Sequence, residues 1–175
     1  GKPGVYAVVP GPGILNTTAA LSTAYACNSR VLAITGQIPS SYIGRELGML
    51  HEIPNQLSVL EGLTKFAKRI NYPSDAPAIV SEAFKNMRSG RPRPTAIEMP
   101  MDIMQHKSEV TLRKFTDGYS PPAADPDLIK EAALILGAAK NPVIFVGTGA
   151  YEAGKEVTIL AEMLQAPVIS YQTIP

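Results

Sequence analysis

Cysteine and histidine are scarce in this sequence of 175 residues. Cys27 is the one cysteine, so no disulfide can form within the chain and no cysteine-based zinc site can be built. Small and apolar neighbours precede Cys27, and this setting predicts a packed thiol in a helix. The two histidines, His51 and His106, have no second histidine or cysteine at ligand spacing, which predicts that this chain contributes no metal ligands.

Neither sign of charge predominates, because 16 Lys and Arg residues face 15 Asp and Glu residues and give a formal net charge of +1. This balance provides no electrostatic basis for binding nucleic acid or an anionic membrane. No apolar run approaches the ~18 residues needed to cross a bilayer. The chain also opens without a charged-then-apolar signal segment. We therefore expect a cytoplasmic protein with no nucleic acid and no membrane partner. Since both ends look cut, we also expect it to be part of a longer protein.

Proline and glycine are plentiful, at 16 and 14 residues, and predict many short connections. Residues 5–9 form a short apolar run closed by a Pro-Gly-Pro-Gly turn, residues 14–28 have helical spacing, and residues 31–35 form a second apolar run. A strand–helix–strand order with solidly apolar strands indicates a parallel sheet covered on both faces. The predicted fold class is α/β, a three-layer αβα arrangement of the Rossmann-like type.

The same alternation continues along the chain. Residues 37–56 predict an irregular excursion. Beyond it the patterns predict helices at 57–70 and 76–88 and a strand at 95–100. Residues 106–125 are polar and rich in proline and predict a linker. A second series follows, with helices at 127–140 and 152–165 and strands at 143–146 and 168–171. We therefore divide the chain into one α/β domain at 1–105, the linker, and the first part of a second Rossmann-like domain at 126–175.

Two glycine-containing turns follow predicted strands, at residues 10–13 and 147–149. Ligands bind at the carboxyl ends of strands in parallel sheets, where glycines allow a close approach. The first turn lacks the Gly-Lys-Ser/Thr ending of a nucleoside-triphosphate loop, and the second has Glu152 where the dinucleotide fingerprint requires Gly or Ala. A non-catalytic nucleotide-binding module and a purely structural half of an oligomer remain alternatives to an enzyme.

His51 lies in the irregular excursion, in a region where loops carry function, whereas His106 lies at the edge of the linker and predicts a solvated surface residue. No Gly-x-Ser-x-Gly element occurs, so nothing supports a serine triad.

Several segments in order along the chain resemble the thiamin-diphosphate enzymes of the acetolactate synthase and pyruvate oxidase superfamily. These segments are residues 1–5, 11–16, 33–39, 43–44, 51–52, 63–65, 90–92, 97–103 and 138–150. The resemblance covers nearly the whole chain and extends past the linker into the opening of the family's central domain.

This resemblance implies that residues 1–105 form the domain that binds the aminopyrimidine ring, without its N-terminal part. Cofactor-binding residues would be Gly11, Pro12, Gly13 and Asn16. His51 falls where acetolactate synthases usually carry glutamine, and its near-neutral pKa suits proton transfer. This implies a decarboxylase or carboligase acting on a 2-keto acid such as pyruvate.

The resemblance also implies what the chain lacks. The family's activating glutamate would lie upstream of Gly1, and its Mg²⁺ and diphosphate motif beyond Pro175. Because the aminopyrimidine domain of this family faces a partner subunit, a homodimer or homotetramer is implied, and FAD in the central domain is left open. We predict that this piece alone does not bind the cofactor tightly and does not catalyse.

Overall fold

The structure, a computed structural model, describes residues 2–112, 120 and 122–170. The chain splits into two compact units, Gly1–Pro121 and Pro122–Pro175. The division falls within the predicted linker, of which residues 113–119 and 121 lie outside the described part. Residue 171, the predicted end of the last strand, also lies outside it, as do residue 1 and residues 172–175.

The first unit is an α/β domain built on one parallel sheet. Its elements are β1 (Gly4–Val8), α1 (Pro12–Ala26), β2 (Val31–Gln37), α2 (Gln56–Leu63), β3 (Phe66–Arg69), α3 (Ala76–Arg88), β4 (Thr95–Pro100) and the short α4 (Met101–Gln105). The four strands lie in the order β1-β2-β4-β3, and every neighbouring pair is parallel. The predicted α/β class with a parallel sheet is confirmed.

Helices cover both faces of this sheet, as the uninterrupted apolar strands predict. On one face α3 packs against strand side chains in a cluster that contains Leu32, Met87 and Ile97. On the other face α1 and α2 pack against the small side chains of Ala33 and Ala96, which are partners in the β2–β4 register. Successive strand residues thus point to opposite layers, and the three-layer arrangement follows.

One predicted element is wrong. The helix expected at 57–70 ends at Leu63, and the edge strand β3 follows. Thr64 lies at the change from helix to strand. Its hydroxyl bridges the two elements, since it lies 2.7 Å from the carbonyl oxygen of Leu60 and 3.0 Å from that of Phe66. Pairing with β4 then overrides the helical spacing, and Lys68 and Arg69 lie in the strand. Lys68 pairs with Glu82 at 3.1 Å, and Arg69 pairs with a carboxylate of β4.

The second unit contains α5 (Pro126–Ala138), β5 (Ile144–Val146), α6 (Gly154–Leu164) and β6 (Val168–Ser170). β5 and β6 form a two-stranded parallel sheet, so the predicted helix–strand–helix–strand order is confirmed. Asp125 caps α5 by accepting the backbone N–H of Asp127 at 2.9 Å. Much of the apolar surface of the second unit is exposed, including Ile135 at 65% and Phe145 at 72%.

Two minor points concern single residues. Cys27 is the last, half-buried cap residue of α1, so it lies at the helix end and not in its interior. No described helix is both long enough and apolar enough to span a bilayer.

Candidate functional site

The site lies where the parallel strands of the first unit end, and its first part is the turn between β1 and α1. Gly11 adopts φ +59° and ψ −114°, a combination open mainly to glycine. Its carbonyl accepts the N–H of Leu15 at 3.0 Å, which starts α1. Pro12 occupies the first helical position, where a missing N–H has no cost. The sequence thus forces a sharp strand-to-helix turn at this point.

The structure brings Gly11 and His51 together. A Cβ on Gly11 would lie 2.4 Å from the carbonyl oxygen of His51 and 3.0 Å from its carbonyl carbon. Gly13 is crowded too, since a Cβ there would lie 2.6 Å from Cγ2 of Val9. The fold therefore requires glycine at 11 for its own packing, whereas at 13 the close atom belongs to the exposed side chain of Val9. A close approach of cofactor to these two residues stays a prediction.

Pro12 and Asn16 are both exposed and lie one turn apart at the start of α1. Residues four apart in a helix share a face, so an apolar ring and a carboxamide are presented side by side. This pair suits a flat heteroaromatic ring with polar edges, because the proline offers a surface for packing and the amide offers a donor and an acceptor. The residues present therefore fit an aminopyrimidine.

His51 occupies a strained backbone position at φ +71°, which is uncommon for a residue with a side chain. The turn around it is closed by two hydrogen bonds. The N–H of Glu52 donates to the carbonyl of Met49 at 2.9 Å, and the N–H of Met49 donates to the carboxylate of Glu52 at 2.8 Å. Such strain concentrates at functional sites and persists only where the surroundings enforce it. His106, in contrast, is exposed as predicted.

A buried polar network lies beneath the turn, and the sequence analysis missed it. Gln56, the first residue of α2, accepts the N–H of Gly11 on Oε1 at 2.8 Å. Its Nε2 donates to the carbonyl of Gly36 and to Oε2 of Glu98, both at 2.9 Å. The other oxygen of Glu98 accepts Nε of Arg69 at 2.5 Å. The network therefore connects the β1–α1 turn with the carboxyl ends of β2, β4 and β3.

Gln37 completes this network from the end of β2. Its Nε2 lies 3.5 Å from Oε2 of Glu98, and its Oε1 accepts the N–H of Ile38 at 2.7 Å. Gln37, Gln56 and Glu98 are buried, at 3%, 1% and 0% exposure. The one available sequence signal was Glu98 inside an otherwise apolar strand, because a buried carboxylate requires partners.

A second polar contact ties the region after β2 to α4. Asp102 accepts the backbone N–H of Ser40 at 2.9 Å and its hydroxyl at 2.5 Å. The Ser40 hydroxyl bond is the main reason that the pKa of Asp102 lies below its usual range. Among the residues that the structure describes, no three His, Cys, Asp or Glu side chains are grouped to bind a metal ion.

The second unit has its own glycine turn after β5. The turn Thr148–Ala150 begins with a hydrogen bond from the N–H of Ala150 to the carbonyl of Gly147 at 3.0 Å. It borders a cavity of about 350 Å³, which is also lined by Tyr151, Val157 and Ser170. No atom lies within 4 Å of a Cβ built on Gly147 or Gly149.

Comparison with known proteins agrees with this geometry. Residues 1–59 match the family model "Thiamine pyrophosphate enzyme, N-terminal TPP binding domain". The chain is 32% identical to the Pseudomonas aeruginosa protein named "Probable 2-ketoarginine decarboxylase AruI" over 97% of its own length and 31% of that protein.

Two acetolactate synthases give similar values. Identity is 32% to the isozyme 1 large subunit of Escherichia coli, over 95% of this chain and 29% of that protein. It is 35% to the enzyme of Arthrospira platensis, over 97% of this chain and 30% of that protein. The chain thus spans about a third of the length of the curated relatives it matches.

Proposed function

We propose a cofactor-binding role for this chain on the premise that it belongs to the superfamily of thiamin-diphosphate-dependent enzymes that includes acetolactate synthase. The chain is part of a decarboxylase or carboligase that acts on a 2-keto acid such as pyruvate. Its first unit holds the aminopyrimidine ring of the cofactor. The observation that carries this proposal is the turn at Gly11, placed at the carboxyl end of β1 with His51 against it.

The residues at the turn have different roles according to their positions. Pro12 and Asn16 are exposed at the start of α1 and receive the ring. The backbone of His51 packs on Gly11, so this residue lies in the loop beside the ring-binding turn, where a histidine suits proton transfer. When bound, thiamin diphosphate supplies the carbanion chemistry that 2-keto acid decarboxylation needs. Mg²⁺, which the family resemblance implies, would bind with the diphosphate outside this chain. The full-length protein would be a homodimer or homotetramer.

Cofactor binding is tested by Asn16→Ala in the full-length protein that contains this chain. Loss of the carboxamide removes about one hydrogen bond to the ring, so we expect the Kd for thiamin diphosphate to rise about tenfold. Ser22→Ala is the matched control, because Ser22 is exposed on the same helix and its hydroxyl donates to the carbonyl of Ala19 at 2.9 Å. Calorimetry that finds equal Kd values for both variants contradicts the role of Asn16.

Catalysis is tested by His51→Gln. The substitution keeps a polar side chain but removes the imidazole as a proton donor and acceptor, so we expect a changed rate or product ratio with pyruvate. His106→Gln, at an exposed position, serves as the control. Unaltered kinetics of the His51 variant would assign this residue to scaffolding.

The second unit offers a separate ligand site. A nucleotide such as FAD is the ligand to test, because the cavity beside Gly147 lies at the carboxyl ends of β5 and β6 and glycine there leaves the backbone accessible. Calorimetry of the full-length protein with FAD, NAD and CoA decides between an FAD-containing enzyme, a different nucleotide and an empty central domain.

A further inference from the structure

The side-chain amide of Gln56 uses its oxygen and both N–H groups in protein contacts. Its oxygen accepts from the turn at Gly11, and its nitrogen donates to Gly36 and Glu98. With 1% exposure it has no contact with solvent and none to spare for a ligand. Gln56 therefore acts on the site only through the groups it holds.

The chemistry of these partners fixes which way the amide points. A reversed amide would set its carbonyl oxygen against the carbonyl of Gly36 and the carboxylate of Glu98, which are both acceptors. It would also set its NH₂ group against the N–H of Gly11, which is a donor. All three contacts would be repulsive, so the two acceptors behind Gln56 direct its oxygen at Gly11.

Arg69 in turn supports the acceptor state of Glu98. A fully buried carboxylate needs a charged partner, and Nε of Arg69 lies 2.5 Å from its second oxygen. The result is one chain of contacts, Arg69–Glu98–Gln56–Gly11, that crosses the sheet from β3 to the turn after β1. Each step is a hydrogen bond between the named groups, and Gln56 also donates to Gly36 while Glu98 also lies 3.5 Å from Nε2 of Gln37.

We propose that Gln56 is a positioning residue, which sets the place of the Gly11 turn and of the His51 backbone packed on it. Because Pro12 follows Gly11 directly and Asn16 lies one helical turn beyond Pro12, the same amide places the surface that receives the aminopyrimidine ring. This role rests on the proposed function. It adds that the ring-binding turn is aligned by a residue that touches neither cofactor nor substrate.

The direct test is hydrogen exchange in the full-length protein without added cofactor. Gln56→Met keeps the length of the side chain and removes the acceptor, so we expect the peptide containing Gly11 to exchange about tenfold faster. Gln37→Met is the matched control, because it removes a second buried amide beside Glu98 that does not bond Gly11. The proposal is overturned if Gln56→Met leaves this peptide unchanged, or if both variants accelerate it equally.

An exchange of partners tests the same point without an apolar substitution. Gln56→Glu alone sets two carboxylates against each other, and we expect it to loosen the turn. Adding Glu98→Gln supplies an amide donor to the new carboxylate, whose other oxygen still faces Gly11. The carbonyl of Gly36 still lacks its donor, so protection of the Gly11 peptide should return in part. Additive losses in the double variant would overturn the proposal, and this pair decides it if Gln56→Met does not fold.

Calorimetry with thiamin diphosphate connects the turn to the cofactor. We expect Gln56→Met to raise the Kd about tenfold and Gln37→Met to change it less than twofold. Equal Kd values in the two variants overturn the role in cofactor alignment. If the unaltered protein does not bind thiamin diphosphate, the proposed function fails, whereas the exchange rates still decide whether Gln56 sets the turn.

Discussion

The two glycine turns of this protein follow strands of parallel sheets, but they use glycine for different reasons. At Gly11 the space of the missing side chain is filled by the backbone of His51, and φ is positive. At Gly147 the space is open, and φ −117° with ψ −170° is extended backbone that any residue adopts. The first turn is therefore a packed junction, while the second is an accessible surface beside a cavity. A glycine-containing turn after a strand can thus reflect a packing constraint, or it can leave room for a ligand.

The strongest test of this difference is Gly11→Ala. The substitution forces a side chain into a positive-φ position and against a backbone carbonyl, which together cost about 3 kcal/mol of unfolding free energy. Urea unfolding of the protein that contains this chain measures the loss. A change below about 0.5 kcal/mol, the usual range for an unconstrained surface site, would show that the junction yields easily.

A smaller effect of opposite sign is expected for His51→Gly. Glycine relieves the left-handed strain at φ +71° but adds disorder to the unfolded chain, so the net gain in stability is about 0.5 kcal/mol. His106→Gly is the matched control, since His106 has φ −72° and offers no strain to relieve. The midpoint temperature of thermal unfolding should rise for His51→Gly and fall for His106→Gly. A lower midpoint temperature in both variants would show that the backbone at His51 is not strained.

The smallest effect is expected for Gly147→Ala. Nothing lies within 4 Å of the added Cβ, so stability should change by less than about 0.5 kcal/mol. Any ligand of the neighbouring cavity would still meet the new methyl group, and its Kd is the sensitive readout. A loss of stability as large as that of Gly11→Ala would remove the distinction between the two turns.

Much of the fold could be predicted from the sequence, because apolar runs and turn residues are local signals. The strand predicted at 31–35, which extends to residue 37 in the structure, the strand at 95–100 and the helix at 76–88 follow from such patterns. β3 could not be found this way, since apolar spacing continues through Phe66 and only the ladder with β4 makes it a strand. The linker predicted at 106–125 rests on composition, and the division that the structure shows after residue 121 falls within it.

The site was predictable only in part. Gly11, Pro12, Gly13 and Asn16 were named because the family resemblance implies them, and His51 because it lies in a loop and falls where acetolactate synthases usually carry glutamine. Their roles stay predictions. The contact between Gly11 and His51 joins positions 40 residues apart, and the Gln56 network joins positions up to 61 residues apart, so no local pattern records them. A buried glutamine also looks the same in a sequence as an exposed one.

The hydrogen bond from Gly11 to Gln56 has a consequence for selectivity among anions. Helix N-termini ordinarily attract phosphate through their free N–H groups. At α1 the N–H of Gly11 is already used, and Pro12 has none. This end of the helix is thus depleted of donors just where a phosphoryl group would seek them. A neutral ring can rest there, while the charged tail of a cofactor must find its counter-charge elsewhere.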